Sequence, residues 1–352
     1  MAESALVASE ADFRSLFEHM SEGFAYHEIV LREDGRPVDY VFLDVNEAFC
    51  ELTGLEREAV LGRRVTEVIP GLEPRWIETY GRVALSGEPA EFEDWSEALG
   101  KCFSVAAYRP EPGKFACVFV DITDRKRSEA RQRLITEVLA ILNEPEDFQD
   151  AMRRVVAHLK TYTGFDAVGL RMWDNGDFPY SAQEGFPQDF LLKENTLTER
   201  GPDGGVCRDR DGNVKLECTC GLVLSGKVPS SHPLFTAGGS FWTNDSLPLL
   251  DLAPDEDPRH HPRNECIHRG YASVALIPLR SGAERIGLLQ LNDKRPDRLT
   301  LELVNLLESL GNTIGIALAH KRAEEALAES ERMYRALFGS AGDAVLVLHA
   351  DR

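Results

Sequence analysis

Between Asp124 and Asn143 the sequence reads as a single charged helix. Asp124-Arg125-Lys126-Arg127 leads into Leu134, Ile135, Val138, Leu139, Ile141 and Leu142, spaced by three and four. Segments on both sides of it carry the two-residue period of strands, so the helix divides the chain into two folding units, each with its own core. The 352 residues also exceed what one core usually organises. The balance of 59 acidic against 39 basic residues, a net charge of -20, repels phosphate backbones and argues against nucleic-acid binding. No apolar run approaches the roughly 20 residues a spanning helix needs. The N-terminal MAESALVASEADF carries acidic residues where a secretory signal carries basic ones. A cytoplasmic location is expected, with no membrane association. Seven cysteines, an odd number in a chain this long, do not form a secreted disulfide framework.

In the first half, Phe13, Leu16, Phe17 and Met20 follow helical spacing, and Phe24, Tyr26, Ile29 and Leu31 follow at the period of a strand. The turn residues Asp34-Gly35-Arg36-Pro37 join it to a second strand over 39–45. Asn46 caps a short helix that ends at Thr53-Gly54, where glycine supplies a left-handed terminus. Two more antiparallel strands are expected over 103–108 and 114–121, separated by Pro110, Pro112 and Gly113. The string Asn46-Glu47-Ala48-Phe49-Cys50-Glu51-Leu52-Thr53-Gly54, followed by Asp121-Ile122-Thr123 and a charged helix, resembles the PAS family over residues 13–127. The resemblance implies a five-stranded antiparallel sheet with short helices on one face, enclosing a small cavity that holds a ligand or is filled by side chains. Nothing matches the N-C-R-F-L-Q string of the family's flavin photosensors, so no covalent flavin photocycle is expected. Phe49, Trp95, Cys102 and Tyr108 are the candidate cavity residues, against the alternative that such aromatics are plain core.

The second half opens with an amphipathic helix through Phe148, Met152, Val155, Val156, Leu159 and Tyr162, then a strand over 167–173. An irregular stretch at 201–269 precedes strands over 271–279 and 286–292 and a helix from Thr300 past Ile316. These pieces, with Gly270-Tyr271-Ala272-Ser273 and Gly287-Leu288-Leu289-Gln290-Leu291, resemble a GAF domain over 148–320. The family binds cyclic nucleotides, tetrapyrroles, haem, iron or nothing. The cyclic-nucleotide string is only loosely echoed at Asn292-Asp293-Lys294, and no cysteine is followed by histidine as in bilin-binding members. Inside the irregular stretch lie Cys207, Cys218, Cys220 and Cys266, and the region, with Gly239-Ser240-Phe241-Trp242-Thr243-Asn244, resembles a GAF subgroup of bacterial and archaeal sensor kinases. Three readings stay open for these cysteines. They form a metal or haem site (haem, iron or zinc, with His232, His260, His261 or His268 as alternative ligands), a redox-active thiol set, or ordinary buried thiols. A strand through Cys218-Thr219-Cys220 would put both sulfurs on one face.

The last helix continues through Leu327, Tyr334 and Leu337, and Ser330–Phe338 with Ala344–Leu348 resembles the start of a second PAS repeat. The expected organisation is α+β: a PAS-like domain at 1–123, a helical linker at 124–144, a GAF-like domain at 145–320 with its cysteine-rich insertion at 201–269, a second linker at 321–338, and the opening of another PAS-like domain at 339–352. It resembles the input region of a sensor histidine kinase. The implied function is a sensor that relays a ligand, metal or redox signal through coiled-coil helices, as a homodimer, to a kinase or response-regulator output module. Two alternatives are a kinase whose phosphotransfer parts lie elsewhere and a ligand-free dimerisation scaffold. No catalytic residues are expected here: no nucleotide-binding boxes follow His320, which lacks the acidic neighbour of a phospho-acceptor.

Overall fold

The computed structural model describes residues 14–15, 17–144, 147–210, 212–229, 231–253, 255–259 and 262–340, with side chains as far as 336. Phe13, Leu16, His260, His261 and the expected repeat beyond Ser340 lie outside the described residues. The chain is α+β, built from two five-stranded antiparallel sheets in two compact units, residues 1–130 and 131–352.

In the first unit β1 (Gly23–Leu31) and β2 (Pro37–Val45) form the expected hairpin, followed by four helices: α1 (Glu47–Thr53), α2 (Arg57–Val60), α3 (Val65–Val68) and α4 (Pro74–Ser86). The strands β3 (Ala90–Ser96), β4 (Lys101–Tyr108) and β5 (Lys114–Asp121) complete a sheet of order β2-β1-β5-β4-β3. Asn46 shows why the string Asn46–Gly54 opens as it does, through its hydrogen bonds. Its fully buried carboxamide oxygen accepts from the Phe49 amide at 2.9 Å, capping α1, and from the Phe24 amide at 2.8 Å, while its nitrogen donates to the Glu22 carbonyl at 2.9 Å. Asp121-Ile122-Thr123 works in the same way. Asp121 accepts from the Thr123 amide at 2.9 Å, and the Thr123 hydroxyl accepts from the Cys102 amide at 2.9 Å, fixing the point where β5 turns into α5 (Thr123–Asn143).

One strand reads differently from expectation. Ala25, His27 and Ile29 face the core of the first unit, while Phe24 and Tyr26 are only half-buried. Side chains alternate strictly across a strand, so Phe24 and Tyr26 cannot share a face with Ile29, and the core takes the set Ala25, His27 and Ile29. Helix α4 and strand β3 were not foreseen. Trp76, Ile77, Tyr80 and Val83 of α4 join Phe103, Val105, Phe115 and Phe119 in one core.

The second unit contains α6 (Phe148–Thr163), β6 (Ala167–Met172), β7 (Tyr180–Glu184), α7 (Gln188–Glu194), α8 (Cys218–Ser225), β8 (Phe241–Thr243), α9 (Glu265–His268), β9 (Ser273–Ser281), β10 (Glu284–Asp293) and α10 (Leu301–Ser340). The sheet order is β7-β6-β10-β9-β8. Leu289 and Leu291 of β10 face a layer made by α6, α10 and the second half of α5. Leu288 points oppositely into the cap. The stretch 201–269 is more regular than its composition suggests. It holds α8, β8 and α9, and narrow turn pairings such as Arg200 with Val206 and Arg208 with Val214. The apolar seam of α5 is also spent differently: Leu134, Val138 and Leu142 are buried in the core of the second unit itself, which removes them from any seam between two chains. No described helix is long and apolar enough to cross a membrane.

Candidate functional site

Two cavities carry the polar groups of interest, one in each unit. The first, of about 60 Å³, is walled by Phe42, Phe49, Phe103 and Phe119, among other apolar side chains, with His27 and Trp76 also in its lining. His27 is buried, its ring stacked on Phe115 at 4.5 Å and edge-on to Tyr40 at 4.8 Å. Burial pushes its imidazole down from the ordinary 6.5 to about 3, because no neighbour repays the desolvation of a charged ring. The imidazole is therefore neutral at physiological pH. His27 Nδ1 and Trp76 Nε1 have no hydrogen-bond partner, although both residues are more than nine-tenths buried. Buried polar atoms in folded proteins are almost always paired, and an unpaired one costs about 1–3 kcal/mol. Cys117, in the same lining, is pushed up to about 12 by burial and stays a thiol.

Of the four residues proposed for this cavity, only Phe49 lines it. Trp95 and Tyr108 are 41% and 45% exposed, and Cys102 is buried on the opposite face of β4, its amide bound to Thr123. The reason is again parity: Phe103, Val105 and Ala107 point inward, so Cys102 and Tyr108 cannot. His27, Tyr40, Trp76 and Tyr80 were missed. The signal for His27 was present as the period Ala25-His27-Ile29, while nothing local marks α4 as a cavity wall.

The second cavity, of about 30 Å³, lies under the cap and is lined by Cys218, Cys220 and Cys266 with Arg259, Asn264 and Thr243 among others. Cys218 and Cys220 occupy the first turn of α8, so the expected strand is a helix. Cys218 opens it in a left-handed conformation, φ 64°, which a side chain other than glycine adopts only at a cost. The thiols of Cys218 and Cys220, two residues apart, hydrogen-bond to each other. The Cys218 thiol is held well below its usual value, first by that bond from Cys220 and then by the Arg263 backbone amide and guanidinium charge, with burial opposing. Cys220 is pushed well above its usual value, first by its interaction with Cys218 and then by burial. Arg263 in turn binds Glu194 Oε2 at 3.1 Å, and burial, followed by the charge at Cys218, raises that carboxyl to about 7.

Gln290 sits between the other two thiols. Its Nε2 donates to Cys266 Sγ at 3.4 Å, its Oε1 accepts from Cys220 Sγ at 3.9 Å, and the same oxygen accepts from the Tyr180 hydroxyl at 2.7 Å. The fully buried Arg171 lies 3.7 Å from the Tyr180 ring centre and donates to the Phe178 carbonyl at 2.9 Å. Three of the four cysteines singled out in the sequence thus meet. Cys207 stands outside the cavity, its backbone paired with Glu199 and Lys215. Gln290, Arg263 and Glu194 had no signal in the sequence.

A metal or haem iron does not fit this arrangement. Among the described residues no three His, Cys, Asp or Glu side chains are placed to hold a metal ion. The Gln290 amide fills the space between Cys220 and Cys266, and the cavity is far smaller than a porphyrin. Neither described histidine offered as a ligand comes in: His232 packs on Phe235 and His268 is exposed. All seven cysteines are unbridged.

Residues 11–86 match the family model of the PAS domain, and residues 147–318 match that of the GAF domain. The chain carries a PAS domain followed by a GAF domain. Among solved structures, this PAS–GAF chain is similar to the GAF domain of a phosphoenolpyruvate-protein phosphotransferase from Acinetobacter, with 16% identity, 56% of this chain and 95% of that chain covered, and a TM-score of 0.36. It is also similar to the free methionine-R-sulfoxide reductase from Neisseria meningitidis in complex with its substrate, with 14% identity, coverage of 55% and 91%, and a TM-score of 0.37. The nlh2 GAF domain of A. aeolicus in an inactive state gives 16% identity, coverage of 55% and 98%, and a TM-score of 0.38. Among curated proteins none matches the chain at a significant level.

Proposed function

We propose that the PAS–GAF chain is a sensory relay whose PAS cavity binds a small, uncharged, planar molecule bearing a hydrogen-bonding edge. The observation that carries this reading is the pair of buried, unpartnered nitrogens, His27 Nδ1 and Trp76 Nε1, in the lining of a cavity that has no charged side chain. Trp76 offers a donor only, so the ligand presents an acceptor to it. A neutral imidazole takes either role, so the same edge can also carry a donor. A volume of about 60 Å³ corresponds to about four to six waters, which limits the ligand to a small ring or amide.

The route outward starts at β5. Phe119 and Cys117 of that strand line the cavity, and the strand runs directly into α5, whose second half is core of the GAF domain. A ligand that shifts β5 thereby biases α5. The signal then passes to α10, which pairs with its counterpart in a second copy and continues to a kinase or response-regulator output module. Phosphotransfer belongs to that module.

The test is a titration of ¹⁵N-labelled protein with 2-pyrrolidinone at millimolar concentration, following the indole N–H signals. The Trp76 signal is expected to move while those of Trp95, Trp173 and Trp242 do not, and acetate of similar size should leave all four in place. Four unmoved signals with 2-pyrrolidinone would reject the reading.

A further inference from the structure

The PAS cavity leaves the cysteine cluster of the GAF domain without a task, and its geometry supports one of its own. We propose that Cys218 is a peroxide-reactive cysteine and Cys220 its resolving partner, so that the GAF cap holds a dithiol–disulfide centre that responds to hydrogen peroxide.

Four observations converge. Cys218 is held in a left-handed conformation at the start of α8, a strain that persists only where surrounding structure enforces it. Cys218 and Cys220 both belong to the first turn of α8, so the attacking and the resolving residue sit on one short element. Residues two apart in a helical turn have Cα atoms about 5.4 Å apart, inside the roughly 4.4–6.8 Å that disulfides span. Both cysteines line a cavity of about 30 Å³, room for about two waters and hence for one hydrogen peroxide molecule, but not for a bulkier hydroperoxide.

Cys266 is the rival partner. Its sulfur is engaged by Gln290 Nε2 at 3.4 Å, and the Gln290 carboxamide stands between it and Cys220. Bonding to Cys218 would cost Cys266 its contact with Gln290, whereas Cys220 already lies in the same turn of α8, which favours the pair within α8.

The Cys218 thiolate attacks one peroxide oxygen; an S–O bond forms, the O–O bond breaks, and the leaving hydroxide takes up a proton to become water. Cys218 is now a sulfenic acid, oxidised by the two electrons that reduced the peroxide. Cys220 gives up its thiol proton and attacks the Cys218 sulfur; the S–S bond forms, the S–O bond breaks, and the departing hydroxide combines with that proton as a second water. Net, two thiols and one peroxide give a disulfide and two waters, and a dithiol reductant reverses the change.

Trypsin separates the outcomes in the full-length protein without any substitution. Cys218 and Cys220 share the peptide Leu216–Lys227, Cys266 lies in Asn264–Arg269 and Cys207 in Gly201–Arg208. After stoichiometric hydrogen peroxide, Leu216–Lys227 is expected to lose the mass of two hydrogens with no partner peptide attached. Its oxidation should run about tenfold faster than that of Cys207, the gain from converting a mostly protonated thiol to thiolate. In Cys220→Ser the sulfenic acid should persist and be trapped by dimedone on Cys218, while Cys266→Ser should still form the internal disulfide. A cross-link between Leu216–Lys227 and Asn264–Arg269, oxidation at Cys207 first, or an unreactive Leu216–Lys227 would each overturn the proposal. All of these readouts are independent of ligand binding in the PAS cavity.

Discussion

At the scale of single residues, the PAS core is decided by polar groups placed among aromatic rings. His27 is the clearest case. Its folded value of about 3 lies below the ordinary 6.5 of the unfolded chain, so the unfolded state binds the extra proton at acidic pH. Its contribution is complete above pH 6.5 and is lost as pH falls through the window down to about 3, at roughly 1.4 kcal/mol per pH unit. Calorimetry of the full chain should show the PAS transition losing stability across that window. His27→Phe, which keeps the stack on Phe115, should flatten the slope relative to the native protein; an equal slope in both would refute a neutral buried imidazole. Short-range polar roles were legible in the sequence. The Asn46 cap on Phe49 depends on a partner three residues away, and the string itself announces it, whereas the bonds of Asn46 to Phe24 and of Thr123 to Cys102 span more than twenty residues and were not announced. The role of Gln290 was not legible, because its partners Tyr180 and Cys220 are 110 and 70 residues distant.

At the scale of elements, the question that recurs is which face each strand or helix turns inward. The strands over β1, β2, β4 and β5 were readable from alternation and turn residues, yet β1 alternates with two plausible apolar sets, and packing in the common core with Phe49, Ile77 and Tyr80 selects Ala25, His27 and Ile29. Cys218-Thr219-Cys220 became helical because it opens an apolar segment, Gly221-Leu222-Val223-Leu224, that packs on β9 and β10. Helix α10 lies against β9 through small residues: a Cβ added at Gly315 would sit 2.3 Å from the Arg280 carbonyl oxygen. Glycine to alanine inside a helix ordinarily stabilises by about 1 kcal/mol. Here Gly315→Ala is expected to destabilise the GAF domain by about 1–3 kcal/mol, because the backbone of β9 must move. Thermal unfolding reads this directly, with the exposed Ile316→Ala as the near-neutral control. A Gly315→Ala protein at least as stable as the native one would show that the contact is loose.

At the scale of the whole molecule, α5 gives its buried side chains, Leu134, Val138 and Leu142, to the core of the second unit, and α10 extends well past the GAF domain. The C-terminal half of α10 leaves Leu327, Met333 and Tyr334 about 60% exposed, with Leu327 and Tyr334 one heptad apart. Burying such side chains against a second copy is worth about 1.5–3 kcal/mol each. Light scattering at micromolar concentration should therefore give the mass of a dimer, and Leu327→Glu should give a monomer without altering the unfolding of either domain; a monomeric native chain would remove the basis for relay through paired helices. By itself, the sequence determined what is set by local periodicity, capping and charge: two α+β domains of PAS and GAF type, the helix that divides them, and a net charge of -20. Only the tertiary structure decided which side chains share a cavity. Sheet register and helix docking bring together residues far apart in the chain, and a shift of one position in a strand sends every side chain to the other face.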